Sequence, residues 1–320
     1  MKILGRPSPR FLRGWLTPAS LILLIVLAIV IPKQIDKQNI WNLFFLICLH
    51  ISLGQSWNIL SGFAGQTNLG HAAFFGIGAL VTRTLWFGGT PFALAFLIGG
   101  LASVFFAMII GIPTFRLRGA YFSIGTLGVA EVLRITVSQK IPLISTMPGS
   151  MIANYDLPSR YYLALGLAIV TTLVTYLLLR SPWSLGILAV REDEEAAQAT
   201  GVHVLRHKLL ALALSSFFAG LTGGVFAYQQ ISYYASAPFG PIWTFDPLLI
   251  TFIGGLGTLA GPIIGAIFYI VVREQLAVNL VDVHQVIFGV LFILIVLIFP
   301  GGFVKAWNRL RNVRWSKSPS

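Results

Sequence analysis

The sequence predicts an all-α protein, a polytopic bundle of about ten transmembrane helices. Three observations carry this. The 320-residue chain is 56% hydrophobic and 10% charged, with mean hydropathy +0.84. A soluble domain of this size carries roughly a quarter charged residues. Apolar runs at 16–31, 161–179 and 286–299 reach or approach the length needed to cross a hydrocarbon core about 30 Å thick as helices. The basic residues are clustered: fifteen of the 22 Lys and Arg lie at 2–13, at Arg116 and Arg118, at 180–208 and at 305–317. Clusters that alternate with apolar runs are the positive-inside pattern set by membrane insertion, so the net charge of +12 does not point to nucleic acid. Repeated apolar runs without alternating polarity mean helices rather than a β-barrel, because lipid leaves no other way to satisfy the backbone.

Placing the four basic clusters on one side orders the spans. A basic segment, 1–15, precedes a first span at 16–32, which lacks a small-residue cleavage site and reads as a retained span rather than a signal peptide. Spans follow at about 40–60, 70–87, 92–113 and 119–137. Phe87-Gly88-Gly89-Thr90-Pro91 is an outer turn. The segment 138–160 is the longest outer loop, broken by Pro142, Pro148, Gly149 and Pro158. A span at 161–179 returns to a large inner loop, 180–207, and a seventh runs over 208–230. Tyr233, Tyr234 and Trp243 suit the interface in the loop after it.

The stretch 245–257 is too short to span comfortably and is interrupted by glycine. Spans at 262–276 and 283–299 lead to a basic tail, 301–320. Both termini then lie inside and the crossings are even: ten if 245–257 crosses as a tilted or broken helix, eight if a glycine-rich segment re-enters. The transmembrane domain is 16–300. Cys48, the single cysteine, sits in an apolar run and reads as a small buried hydrophobe.

The two halves carry a faint echo. Gly65 and Gly70 interrupt the chain between the second and third spans, and Gly254, Gly255, Gly257 and Gly261 interrupt it between the eighth and ninth. Such pairs point to discontinuous helices around a translocation pathway, although glycines also permit close helix packing. Gln55, Asn58, Gln66, Thr67, Asn68 and His71 gather around the first break. Their amides and hydroxyls are suited either to a polar solute or to backbone groups freed by the break.

The inner loop holds the sharpest signal. Only ten acidic residues exist in the chain, and Glu192, Asp193, Glu194 and Glu195 stand side by side. Acidic residues at a helix start complement the macrodipole, Ala196, Ala197 and Ala199 propagate a helix of two to three turns, and Gly201 ends it. One compact charged helix on an otherwise apolar chain is a docking surface.

Arg191-Glu192-Asp193-Glu194-Glu195-Ala196-Ala197 with Gly201 resembles the coupling loop of the branched-chain amino acid class of bacterial ABC-importer permeases. The run 62–79 is similar to that family's signature after its second helix. Leu117-Arg118-Gly119-Ala120-Tyr121-Phe122, Glu131-Val132-Leu133-Arg134 and the run 252–266 are similar to further family segments. The resemblance covers roughly 40–300 and is nearer the LivM than the LivH type. Gln66-Thr67-Asn68 departs from the Gln-Leu-Ser expected there. The resemblance implies a non-enzymatic pore subunit in the bacterial inner membrane. Its partners would be a second, LivH-like permease, two cytoplasmic ATPases that hold the ATP and Mg, and a periplasmic binding protein. Glu192, Asp193, Glu194, Glu195, Ala196, Ala197 and Gly201 would couple to the ATPase. The chain itself has no G-x-x-x-x-G-K-[ST] phosphate loop.

Glu131 and Arg134, three apart in the fifth span, suit a zwitterionic amino acid if they face a pathway, and neutralise each other if they do not. Asp246 before Pro247 reads as an N-cap, and Arg273-Glu274 as a neutralised surface pair. No catalytic constellation and no metal-ligand cluster stands out. Urea-transporter permeases share much of the pattern, which makes urea or a short amide the alternative solute. An ion-coupled secondary transporter is disfavoured by the few acidic residues.

Overall fold

The computed structural model describes residues 37–141, 144–279 and 301–304, with positions 30, 34, 287, 289, 290, 293, 297 and 306. The expected spans at 16–32 and 283–299 and the basic termini lie almost wholly outside the described residues. Within them the helices are α1 (Gln38–Trp57, continued by a π turn over Asn58–Phe63), α2 (His71–Phe87), α3 (Phe92–Thr114) and α4 (Ala120–Lys140). Then come β1 (Ile144–Thr146), α5 (Gly149–Ala153), α6 (Leu157–Arg180), α7 (Trp183–Glu192), α8 (Glu194–Ala199) and α9 (Val204–Gln229). β2 (Ser232–Tyr234), a 3₁₀ turn (Ala237–Phe239), α10 (Ile242–Gly254) and α11 (Gly261–Asn279) complete the set. Among the described residues α1 with its π turn, α3, α4, α6 and α9 are long and apolar enough to cross a membrane.

The contacts sort the bundle into two ends. At one end the α1–α2 and α3–α4 connections, α7, α8 and the start of α9 meet. At the other, β1 pairs antiparallel with β2, Ser145 opposite Tyr233. The Arg83 guanidinium ties that second end together, donating to the carbonyls of Ala227 (3.0 Å), Gln230 (2.9 Å) and Ser145 (2.7 Å). Ala227 lies in the last turn of α9 and Gln230 is its C-cap, where a helix leaves acceptors unsatisfied, while Ser145 brings in β1.

Small and hydroxyl-bearing residues set the core packing, as expected where lipid removes the hydrophobic drive between helices. A Cβ at Gly78 of α2 would stand 2.1 Å from the Gly220 carbonyl of α9, and one at Gly223 would stand 2.0 Å from that of Phe75. Close approach of α2 and α9 therefore requires both glycines. Ser52 of α1 lies within hydrogen-bond distance of Thr171 of α6 (3.1 Å) and Thr222 of α9 (2.9 Å), joining three helices. α3 instead exposes Leu94, Leu101, Phe105, Ile109 and Ile112 along one face, the surface a lipid-facing helix presents.

α10 departs from the sequence expectation. Asp246 does not cap a helix: it lies within α10 and is buried. The 13-residue helix is preceded by the 3₁₀ turn, so the chain between α9 and α11 is a broken segment rather than one full-length helix. The loop 138–160 also differs, holding β1, α5 and the first turn of α6. α6 starts early because the Asp156 carboxylate accepts from the Ser159 N–H (3.0 Å), with Pro158 in its first turn.

Candidate functional site: the acidic loop and two helix breaks

The acidic residues divide between two helices rather than opening one. Glu192 is the last residue of α7. Asp193, extended at φ −161° and ψ 115°, breaks the chain and caps α8. Its carboxylate accepts from the N–H groups of Glu195 (2.9 Å) and Ala196 (3.0 Å), which leaves Glu194 and Glu195 in the first turn of a six-residue helix. That helix is shorter than the expected two to three turns because Asp193 stops α7 and restarts the winding. Gly201, at φ +87°, ends it as expected, with its N–H on the Gln198 carbonyl at 3.0 Å. Ala197 is buried and seats α8 against the bundle.

The two glutamates of α8 have different surroundings. Glu194 Oε1 takes Lys208 Nζ at 2.5 Å and Gln66 Nε2 at 3.0 Å, binding α8 to α9 and to the first break. Glu195 meets Arg118 at 2.8 Å with both side chains over 70% exposed. Its hydrogen bond pushes the Arg118 guanidinium further up from its ordinary pKa. Ala196 is exposed beside Glu195.

Residues 62–71 form the first break. The π turn over Asn58–Phe63 widens α1 before it ends, a distortion common at functional sites. Thr67 offers its carbonyl to Ser123 (2.7 Å), and the Leu69 N–H donates to Thr126 (3.1 Å), so the break leans on α4. Asn68 is partly engaged locally: its side-chain oxygen accepts from the Gly70 N–H at 2.8 Å and its carbonyl accepts from the Trp57 indole at 2.8 Å, while its buried Nδ2 has no partner among the described residues. His71 is fully buried, with Nε2 2.9 Å from Ser56 Oγ. Since Ser56 donates its proton to the Leu53 carbonyl (2.7 Å), His71 Nε2 is the donor and Nδ1 carries a lone pair.

The second break, around Gly254, Gly255, Gly257 and Gly261, lies directly against the first. Gln55 donates to the Leu259 carbonyl at 2.7 Å. Asn58 donates to the Thr258 carbonyl and accepts from the Gly257 N–H, both at 2.9 Å. A Cβ at Gly254 would stand 1.8 Å from the Gly261 carbonyl, so the close-packing role of these glycines is present too.

A cleft of about 490 Å³ opens between the first break, the start of α4 and the acidic segment. Gln66 and Thr67 line it with Ser123, Arg191 and Glu194. Asn68 and His71 do not line it. Glu131 and Arg134 are not brought to it. They pair with each other at 2.8 and 2.5 Å, about 40% exposed, further along α4.

One cluster escaped sequence reasoning. Asp246 accepts from Arg273 (2.9 Å) and from the Tyr269 hydroxyl, and lies 3.2 Å from His50 Nε2. Arg273 therefore pairs with Asp246 rather than in the expected surface pair with Glu274. The available signal was the rarity of ionisable groups within apolar helices, where each one asks for a named partner.

A family model described as branched-chain amino acid transport system / permease component matches residues 39–296. The chain is 29% identical to the high-affinity branched-chain amino acid transport system permease protein LivM of Escherichia coli, over 89% of this chain and 74% of that one. It is 23% identical to the probable LivM permease of Methanocaldococcus jannaschii, over 85% of this chain and 94% of that one. Similarity extends to the ribose import permease protein RbsC of Bacillus subtilis, 23% identical over 87% and 89% of the two chains. No solved structure matches.

Proposed function

The chain belongs to the family of branched-chain amino acid transport system permease components, and from that premise we propose that it is the LivM-type pore subunit of an ATP-driven importer. It translocates branched-chain or other neutral amino acids delivered by a periplasmic binding protein. It sits in a bacterial inner membrane as a multi-pass protein with both termini in the cytoplasm. The acidic segment docks on an ATPase there, with a second, LivH-like permease beside the chain and ATP hydrolysed on two partner subunits.

One observation carries the reading. The exposed acidic helix and both glycine breaks meet at a single end of the bundle, joined through Glu194, Gln66 and Asn58. A push on α8 from outside the membrane therefore reaches discontinuous helices of both halves. The relatives include a ribose import permease, so similarity along the chain does not by itself select the solute. The amino-acid reading rests on the LivM matches.

Co-purification tests the docking role. Wild type brings down the ATPase and supports ATP-dependent uptake of labelled leucine in proteoliposomes, whereas the Glu194→Lys/Glu195→Lys variant loses both. Retained ATPase binding and uptake in that variant contradict the proposal. A panel of labelled amino acids, urea and ribose, presented with the cognate binding protein, fixes the solute.

A further inference from the structure

Arg191 is the last basic residue of α7, one position before the acidic run. Its backbone and side chain touch both breaks. A Cβ at Gly65 would stand 3.1 Å from Arg191 Cγ and 3.2 Å from its Cα. A Cβ at Gly257 would stand 2.6 Å from Arg191 Nη1 and 3.0 Å from the Gly62 carbonyl. Gly65 and Gly257 hold φ of +73° and +69°, where a side chain is strained, so the two breaks offer Arg191 bare backbone on either side. Its side chain is about two-thirds buried, at 31% exposure, and among the described residues its one ion pair is a long 3.9 Å contact with Glu192. Val190 and Ile187 are buried and fix α7 beneath it.

The surroundings make this contact mechanical. Asp193 interrupts the helix two residues on, so α8 is hinged to α7 rather than continuous with it. From the second break α10 leads back to Asp246, which α1 and α11 hold through His50, Tyr269 and Arg273. Gly302, described near the end of the chain, packs on the far side: a Cβ there would stand 2.6 Å from Gly255 Cα. The second break is thus enclosed by Arg191 and by the segment after the last expected span.

We propose that Arg191 is a positioning residue of the coupling machinery: its side chain bridges the two glycine breaks, the stem against Gly65 and the guanidinium against Gly257, and carries displacement of the acidic helix into the helices of both halves. The inference rests on the proposed docking role of α8 and adds a component that the acidic run does not supply. The guanidinium is required for its planar reach; charge alone does not fill the space between the glycines.

The test uses the assembled transporter in proteoliposomes. Arg191→Ala is expected to retain the co-purified ATPase while uptake per ATP hydrolysed falls about tenfold, within the range of ordinary coupling free energies. Arg191→Lys recovers part of the loss, and Arg191→Gln, shorter and uncharged, recovers less. A local readout accompanies transport: Leu256→Cys in a Cys48→Ala background is alkylated at different rates with and without ATP and vanadate. Removing Arg191 abolishes that difference.

Normal uptake per ATP in Arg191→Ala overturns the inference, as does an ATP-dependent change at position 256 that persists without Arg191. Loss of the ATPase from Arg191→Ala also overturns it, by making Arg191 a docking residue. If Arg191→Ala fails to fold, the Lys and Gln variants decide by the same measurements. Wild type that binds no ATPase sinks the proposed function instead, so the two failures are distinguishable.

Discussion

Asn58 and Gly257, 199 positions apart, meet at 2.9 Å, the side-chain oxygen of one accepting the backbone N–H of the other. The same amide donates to the Thr258 carbonyl. Asn58 lies on the π turn, and that extra-wide turn presents it to the second break. One side chain thus replaces the helical partners that two backbone groups lack at the break.

Asn58→Ala leaves the Gly257 N–H and Thr258 carbonyl unpaired; both are half-buried, so each costs less than the ~1–3 kcal/mol of a fully buried orphan group. The thermal midpoint in detergent falls accordingly. Asn58→Asp keeps the acceptor for Gly257 but sets an oxygen against the Thr258 carbonyl. It is expected to unfold below wild type as well, and a wild-type midpoint for either variant contradicts the bridge.

Asp246→Asn tests the cluster between α1, α10 and α11. Both nitrogens of His50 face acceptors, the Leu46 carbonyl at 2.8 Å and Asp246 at 3.2 Å. Removing one partner from a buried charged network destabilises by about 3 kcal/mol, because the remaining charges lose their counter-ion. Arg273→Gln added to Asp246→Asn is then expected to lose less than the sum of the two single changes, read as a double-mutant cycle on detergent unfolding. Strict additivity counts against the network.

Much of this fold was legible in the sequence, for a physical reason. Lipid forces each apolar run into a helix, so the expected boundaries at 70–87 and 92–113 fall within a residue or two of α2 and α3. The glycine echo between the halves was legible as well, since breaks in apolar runs are conspicuous. What it lacked was the pairing: nothing in residue order says that Asn58 reaches Gly257. Asp246 was misread for the opposite reason. Asp-Pro is a strong local capping signal, and here the tertiary partners His50, Tyr269 and Arg273 override it. The division of the acidic run at Asp193 was equally hidden, because four consecutive acidic residues look alike until one of them caps the next.

Glu194 and Glu195 are adjacent yet predict different behaviour. Glu194→Ala removes the partner of the buried Lys208 and of Gln66, so it loosens α8 from the bundle. Amide exchange across residues 194–202 is expected to speed up even in the isolated permease. Glu195→Ala removes an exposed pair with Arg118 that salt already screens, and exchange in the same segment stays at the wild-type rate. Equal acceleration in both variants contradicts the division of roles.

Glu131 and Arg134 pose the last question, because an ion pair stands about 40% exposed within a helix long and apolar enough to span. Ionised groups facing hydrocarbon are expensive, so this face of α4 meets water or another protein surface. A Cβ added at Gly128, one turn before Glu131, would meet nothing within 4 Å, so the helix is open there as well. A passing amino acid offers the ammonium and carboxylate that such a pair can exchange for its internal contacts. Glu131→Gln keeps the shape and removes the charge. Its unfolding midpoint is expected to match wild type, since the pair is local and solvated, while the maximal rate of uptake falls. Arg134→Gln should act the same way, and the double variant should transport better than either single one if the cost of each lies in the charge left unpaired. Normal uptake in both single variants, with normal fold and ATPase binding, leaves the pair a self-neutralising surface feature and removes it from the pathway.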